Sequence, residues 1–134
     1  MIEHHDALIY TMVLVAAADR EMTDAELASI GEMVMHLPVF RNFDRERLVK
    51  TSANCARLLQ RENGLDEALD QIKAALPRHL RETAYALACD VAAADGRATQ
   101  EELRMLEMIR HRLEVPRLAA AAIEHGARAR HLTA

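Results

Sequence analysis

The chain has 134 residues, half of them apolar, with two Phe, two Tyr and no Trp, so its core must come from Ala, Leu, Val, Ile and Met. A net charge of −4, with both signs well mixed, leaves no basic face to track phosphates and excludes nucleic acid as a partner. Four Gly and three Pro among many Ala, Leu, Met, Glu and Arg predict an all-α fold in a single domain, residues 1–134.

Seven helical segments follow in order. The first runs from about His4 to Ala18 and is apolar almost all round, which predicts a central, buried helix. Its apolar run, Ala7 to Ala18, falls short of the roughly 20 residues that span a bilayer, so no direct membrane insertion is expected. The preceding M-I-E-H-H-D has neither the charged start nor the cleavage site of a signal peptide. Thr23 opens a second helix to about His36, with Leu27, Ile30, Val34 and Leu37 on one face. Pro38 then stops the chain.

Asp44 reads as the N-cap of a third helix, from Arg45 to about Glu62. Its predicted stripe is Leu48, Ser52, Cys55 and Leu59, with Val49 and Ala56 beside it. Asn63-Gly64 reads as a C-terminal stop. Leu65, Ala68, Leu69, Ile72 and Leu76 make a clean amphipathic fourth helix. Pro77 fits the first turn of a fifth, from about Arg78 to Ala94, again apolar on nearly every side. A sixth runs from Thr99 to about Leu113. Pro116 starts a seventh, which decays after Gly126.

The chain repeats itself. At an offset of 76, V-A-A-A-D-R-E-M-T-D-A-E-L lies on V-A-A-A-D-G-R-A-T-Q-E-E-L, and the shared Asp, Thr, Glu and Leu are no artefact of alanine-rich helices. The register continues to Arg41 and Arg117. Two pseudo-symmetric helical hairpin repeats, about 7–41 and 83–117, are therefore expected, with the first and fifth helices at the centre of the bundle.

Both copies read A-A-A-D-x-x-x-T-x-x-E-L. Thr23 with Glu26, and Thr99 with Glu102, are capping boxes in which hydroxyl and carboxylate each satisfy a free helix amide. Gly96 fits the left-handed position after a helix. Arg20 in the first copy costs about 1 kcal/mol if it keeps that conformation. Asp19 and Asp95 are different, because a helix C-terminus prefers cations. In one reading each carboxylate folds forward onto loop amides as an Asx-turn. In the other, each joins nearby acids in a hard-cation site for calcium or magnesium. The acids are Asp19, Glu21, Asp24 and Glu26 in copy one, and Asp95, Glu101 and Glu102 in copy two. The spacing is too short for an EF-hand loop of about twelve residues.

Asp90 interrupts the apolar fifth helix and needs a partner, an Arg or a backbone amide. Adjacent His4 and His5 do not share a helix face. With Glu3 and Asp6 they make at most a weak metal site on a terminus expected to fray. Cys55 and Cys89 read as buried free thiols in a reducing cytoplasm. No Ser-His-Asp or Cys-His constellation is visible, so no enzyme is expected.

The two capped hairpins, each entered by A-A-A-D and left by T-x-x-E-L, resemble the TerB family of tellurite-resistance proteins from about Ala7 to Ala127. The resemblance is carried by M-V-L-V-A-A-A-D-R-E-M-T-D-A-E-L and A-L-A-C-D-V-A-A-A-D-G-R-A-T-Q-E-E-L. It implies an all-α bundle of about seven helices, acting in a bacterial stress response as a binding or scaffold module. It implies a place in the cytoplasm or at the inner face of the inner membrane, with protein partners in a membrane-associated complex. It implies metal sites at the acidic loops, which map to Asp19 and Glu26 and to Asp95 and Glu102. Arg20 departs from the family's A-D-G and sets a cation beside Asp19. Tellurite itself is an anion, and carboxylate-lined helix N-termini are poor places to bind it. A purely structural or interaction protein, with every acid capping or pairing and no metal, is the alternative. A homo-oligomer stays open.

Overall fold

The structure is a computed structural model, described here for residues 2–20 and 22–134. Among the described residues there are seven α-helices: α1 (His4–Ala16), α2 (Asp24–His36), α3 (Arg47–Leu59), α4 (Gly64–Ala75), α5 (Arg81–Ala93), α6 (Gln100–Arg112) and α7 (Arg117–Arg130). Short 3-10 turns at Pro38–Phe40 and Arg78–Leu80 join α2 to α3 and α4 to α5. No strand occurs among the described residues.

α1 is the axis of the bundle. Every residue from His5 to Ala16 is buried, because α2, α3, α4, α5 and α6 all pack on it. An all-round apolar helix is stable only when it is enclosed on every side. α5 is the second central element, packed on α1, α2, α6 and α7. The four aromatic side chains, Tyr10, Phe40, Phe43 and Tyr85, are all buried within one core of aliphatic residues.

The start of α1 is ordered rather than frayed. The Glu3 amide donates to Asp6 at 3.2 Å, and Asp6 accepts from Arg47 at 3.1 Å and from the Thr51 hydroxyl at 3.2 Å, which ties α1 to α3. The predicted stripe of α3 holds in part, with Cys55 buried and Leu48 and Leu59 packed against the core. Thr51, Cys55 and Leu58 face inward, whereas Val49 is 79 % exposed and Ala56 is exposed. Burying Thr51 on Asp6 turns Val49, two positions back, to the opposite side of the helix. Asp44 does not cap α3. Its carboxylate accepts from the Glu46 amide at 3.0 Å as an Asx-turn, and the helix begins at Arg47.

Gly64 opens α4 rather than closing α3. A Cβ there would lie 2.0 Å from the Leu58 carbonyl oxygen, so the two helices join at a spot that admits no side chain. The predicted fifth helix is split, with a 3-10 turn after Pro77 and α5 proper from Arg81. α7 passes through Gly126 and continues to Arg130, where Arg130 bonds Asp90 at 2.6 Å. Asp90 thereby gains the arginine partner that its place in an apolar helix demands. On the far side of the bundle, Arg112 reaches Asp66 at 3.0 Å and Asp70 at 2.9 Å, clamping the end of α6 to α4.

Candidate functional site

The two Thr-capped helix starts have nearly the same local geometry. Thr23 Oγ1 accepts from the Glu26 amide at 3.1 Å, and Glu26 Oε1 accepts from the Thr23 amide at 2.9 Å. The corresponding distances at Thr99 and Glu102 are 3.2 and 2.9 Å. Each box satisfies amides that the first turn leaves open. Each glutamate spends one carboxylate oxygen on this bond, and the other oxygen is left for something else.

The fold determines what that is. Glu26 and Glu102 are both only 1 % exposed, and their carboxyl groups face one another. Read along the sequence, the acids fall into two separate loops. In the structure the capping glutamates of α2 and α6 meet. Glu102 Oε2 is buried without a hydrogen-bond donor, as expected for two facing carboxylates, neither of which has a proton to offer. Adding one proton turns the contact into a hydrogen bond. Burial first, and then the facing Glu26 carboxyl, therefore push the Glu102 pKa up from 4.5 to about 8, against the lowering effect of the Thr99 amide. Asp19, half-buried at the end of α1, adds its negative potential to the same place.

Asp95 plays another part. It is exposed and accepts from the Arg97 amide at 3.2 Å, the forward-folded Asx-turn. Asp24 and Glu101 are also exposed, and Glu21 lies outside the described residues. Of the four candidate ligands, the structure thus brings Glu26 and Glu102 together with Asp19 acting on them, and points Asp95 into its own loop. Gly96 takes φ 84, and Arg20 at the corresponding turn takes φ 64, so the strained conformation is kept in both loops.

Glu3, His4 and His5, three of the four residues expected to make at most a weak metal site, do come together at the start of α1. Among the described residues they are the one group of three donor side chains with ligand atoms within 4.8 Å of one another. Both imidazoles reach back to the residue before the helix, with Nδ1 at 3.6 and 3.4 Å from Glu3. His5 is fixed by its Nε2, 2.8 Å from the Val39 carbonyl, and by the rings of Phe40 and Phe43. A carbonyl only accepts, so that nitrogen carries the proton. The Arg47 guanidinium lies 3.9 Å from Glu3 and already supplies the local cation. Both cysteines are buried and free, and burial pushes each thiol up to about 12, which makes them inert at neutral pH.

These features define an all-α bundle in which two capped helix starts bury a pair of glutamates between them. The family model described as tellurite resistance protein TerB matches residues 5–125, and the chain belongs to that family. No curated protein and no solved structure matches it. No helix among the described residues is long and apolar enough to cross a membrane.

Proposed function

We propose that this chain is a non-enzymatic module of a tellurite-resistance-type stress response, which works by binding other proteins and holds a divalent cation between the caps of α2 and α6. The observation that carries the cation is the buried Glu26–Glu102 pair, in which Glu102 Oε2 has no donor. Two carboxylates taken out of water need a proton or a cation between them. Carboxylate oxygens are the donors that calcium and magnesium prefer. Because the cap amides take one oxygen of each glutamate, the chain supplies few ligands, and water would have to complete the shell. That favours weak, exchangeable binding. The family membership supports a place beside membrane-associated stress proteins, in the cytoplasm or at the inner face of the bacterial membrane.

A second reading has its own support. Asp95 bonds a loop amide and both glutamates complete capping boxes, as in a structural or interaction protein that uses no metal. Thermal unfolding of metal-free protein separates the two. Calcium or magnesium at a hundred times its dissociation constant should add about 2.7 kcal/mol. The cation reading expects that gain in the wild type and in Asp95→Asn, and its loss in Glu102→Gln. If no cation shifts the wild type, the acids serve the caps alone.

A further inference from the structure

α6 and α7 both pack on α5 but scarcely touch each other, and a half-open groove of about 760 Å³ runs between them. Its floor is built of small or apolar buried residues: Cys89, Ala92, Leu106, Ala120 and Ala127. Leu103 and Leu132, 49 % and 72 % exposed, stand at its edge. The direction of the helices orders the charges along it. Tyr85 bonds Glu124 and Asp90 bonds Arg130, so α7 runs parallel to α5, while α6 runs back across it. Arg110 and Arg117 therefore lie at one end of the groove, and Arg97 and Arg128 at the other.

None of these four arginines has a carboxylate partner among the described residues. Arg110 meets only the ring of His111, at 3.1 Å. Of the two acids that line the groove, Glu124 accepts from the Tyr85 hydroxyl, and Glu107 stands 4.0 Å from the His111 ring nitrogen that faces Arg110. A protein of net charge −4 thus exposes an apolar slot with free cations at both ends.

We propose that this groove binds an amphipathic helix of a partner protein, with a stripe of small apolar residues and acids about three turns apart. The inference rests on the reading of the chain as a binding module, but not on any metal at the glutamate pair. Arg117 and Arg128 are eleven residues apart on α7, about 16 Å, which returns them to the same face of the helix. An incoming helix with carboxylates at that spacing meets a cation at each end. A single lipid headgroup would call for cations gathered at one mouth, whereas here they are divided between two. The alanine floor lets a second helix backbone approach closely, as small residues do at helix–helix contacts.

The probes are three 18-residue helical peptides sharing one Leu/Ala stripe, with flanks of Glu, Gln or Lys, together with vesicles of phosphatidylglycerol. Binding to the full chain is read by fluorescence anisotropy, in calcium and again in EDTA. The Glu peptide should bind, more weakly at high salt and equally in both conditions. Arg117→Glu and Arg128→Glu should each weaken it about fivefold. Ala121 also lines the groove, and Ala121→Leu, which narrows the slot, should weaken binding without changing net charge. Circular dichroism verifies that each variant folds. The proposal is overturned if no peptide binds, if all three bind alike, if the variants leave Glu-peptide affinity unchanged, or if only the vesicles bind. Any of those results leaves the cation test at the glutamate pair untouched, so the two ideas fail separately.

Discussion

Replacing Glu102 by Gln removes one of the two carboxyls that meet behind the caps of α2 and α6 while keeping the shape of the side chain. The amide oxygen can still accept from Thr99, and the new NH2 offers the facing Glu26 carboxylate a hydrogen bond without a shared proton. The energetic consequence depends on pH. Glu102 is raised from 4.5 to about 8, so the folded chain holds a proton that the unfolded chain releases above about pH 4.5. Its contribution to stability is intact below that value, falls as the pH climbs towards 8, and is level beyond. At roughly 1.36 kcal/mol per unit, the loss by pH 7 is at most about 3 kcal/mol. The effective dielectric of the protein and the sharing of the proton with Glu26 reduce it to about 1–2 kcal/mol. In metal-free buffer, Glu102→Gln should therefore match the wild type at pH 5 and exceed it by about 1–2 kcal/mol at pH 8. Urea unfolding at the two pH values measures the difference. A variant that is less stable at pH 8, or whose offset is the same at both pH values, would refute the account of the pair.

Other outcomes follow from single positions. Arg20 sits at φ 64, so Arg20→Gly should raise stability by about 1 kcal/mol, seen as a higher thermal midpoint. Gly64→Ala forces a Cβ to within 2.0 Å of a backbone oxygen and should cost about 3 kcal/mol or more in chemical denaturation. Thr99→Ala deletes the hydroxyl that caps α6 and should cost about 1 kcal/mol by the same assay. Cys55 and Cys89 should resist a colourimetric thiol reagent at pH 7.5 in the native protein, and both should react once it is unfolded.

Much of the fold was legible because local rules and packing agree. α2 and α6 begin just after Thr23 and Thr99, where hydroxyl and carboxylate satisfy the first amides. The all-round apolar character of α1 announced its central place. Where the reading failed, a tertiary partner had overruled a local signal. Asp6 draws Thr51 inward and turns Val49 out. The Leu58 carbonyl, not a left-handed backbone, requires Gly64. α7 outlasts Gly126 because it packs along α5 and its end is held at Asp90. At the candidate site the cation reading expects the two acidic loops to approach as a surface patch, but not that the carboxyls that meet are the buried capping glutamates. Spacing assigns Glu26 to the first loop and Glu102 to the second, and only the packed bundle shows that both carboxyls are taken out of water. The Glu3, His4 and His5 cluster was visible as a weak site, but the order of the terminus that carries it was not. Adjacent residues do not share a helix face, yet both imidazoles bend back to the residue before the helix.

The burial of α1 on all sides also constrains how the chain can be made. A ribosome releases this apolar helix before any of the helices that cover it, and the last of those, α6, ends only at Arg112. Until then α1 has no complete sheath and presents a sticky surface to other nascent chains. Its contacts with α5 and α6 join residues far apart in sequence, which slows folding relative to a bundle of simple neighbouring hairpins. Growth conditions that lengthen the wait between α1 and α6, such as slow translation or heat, are those in which this protein should aggregate first.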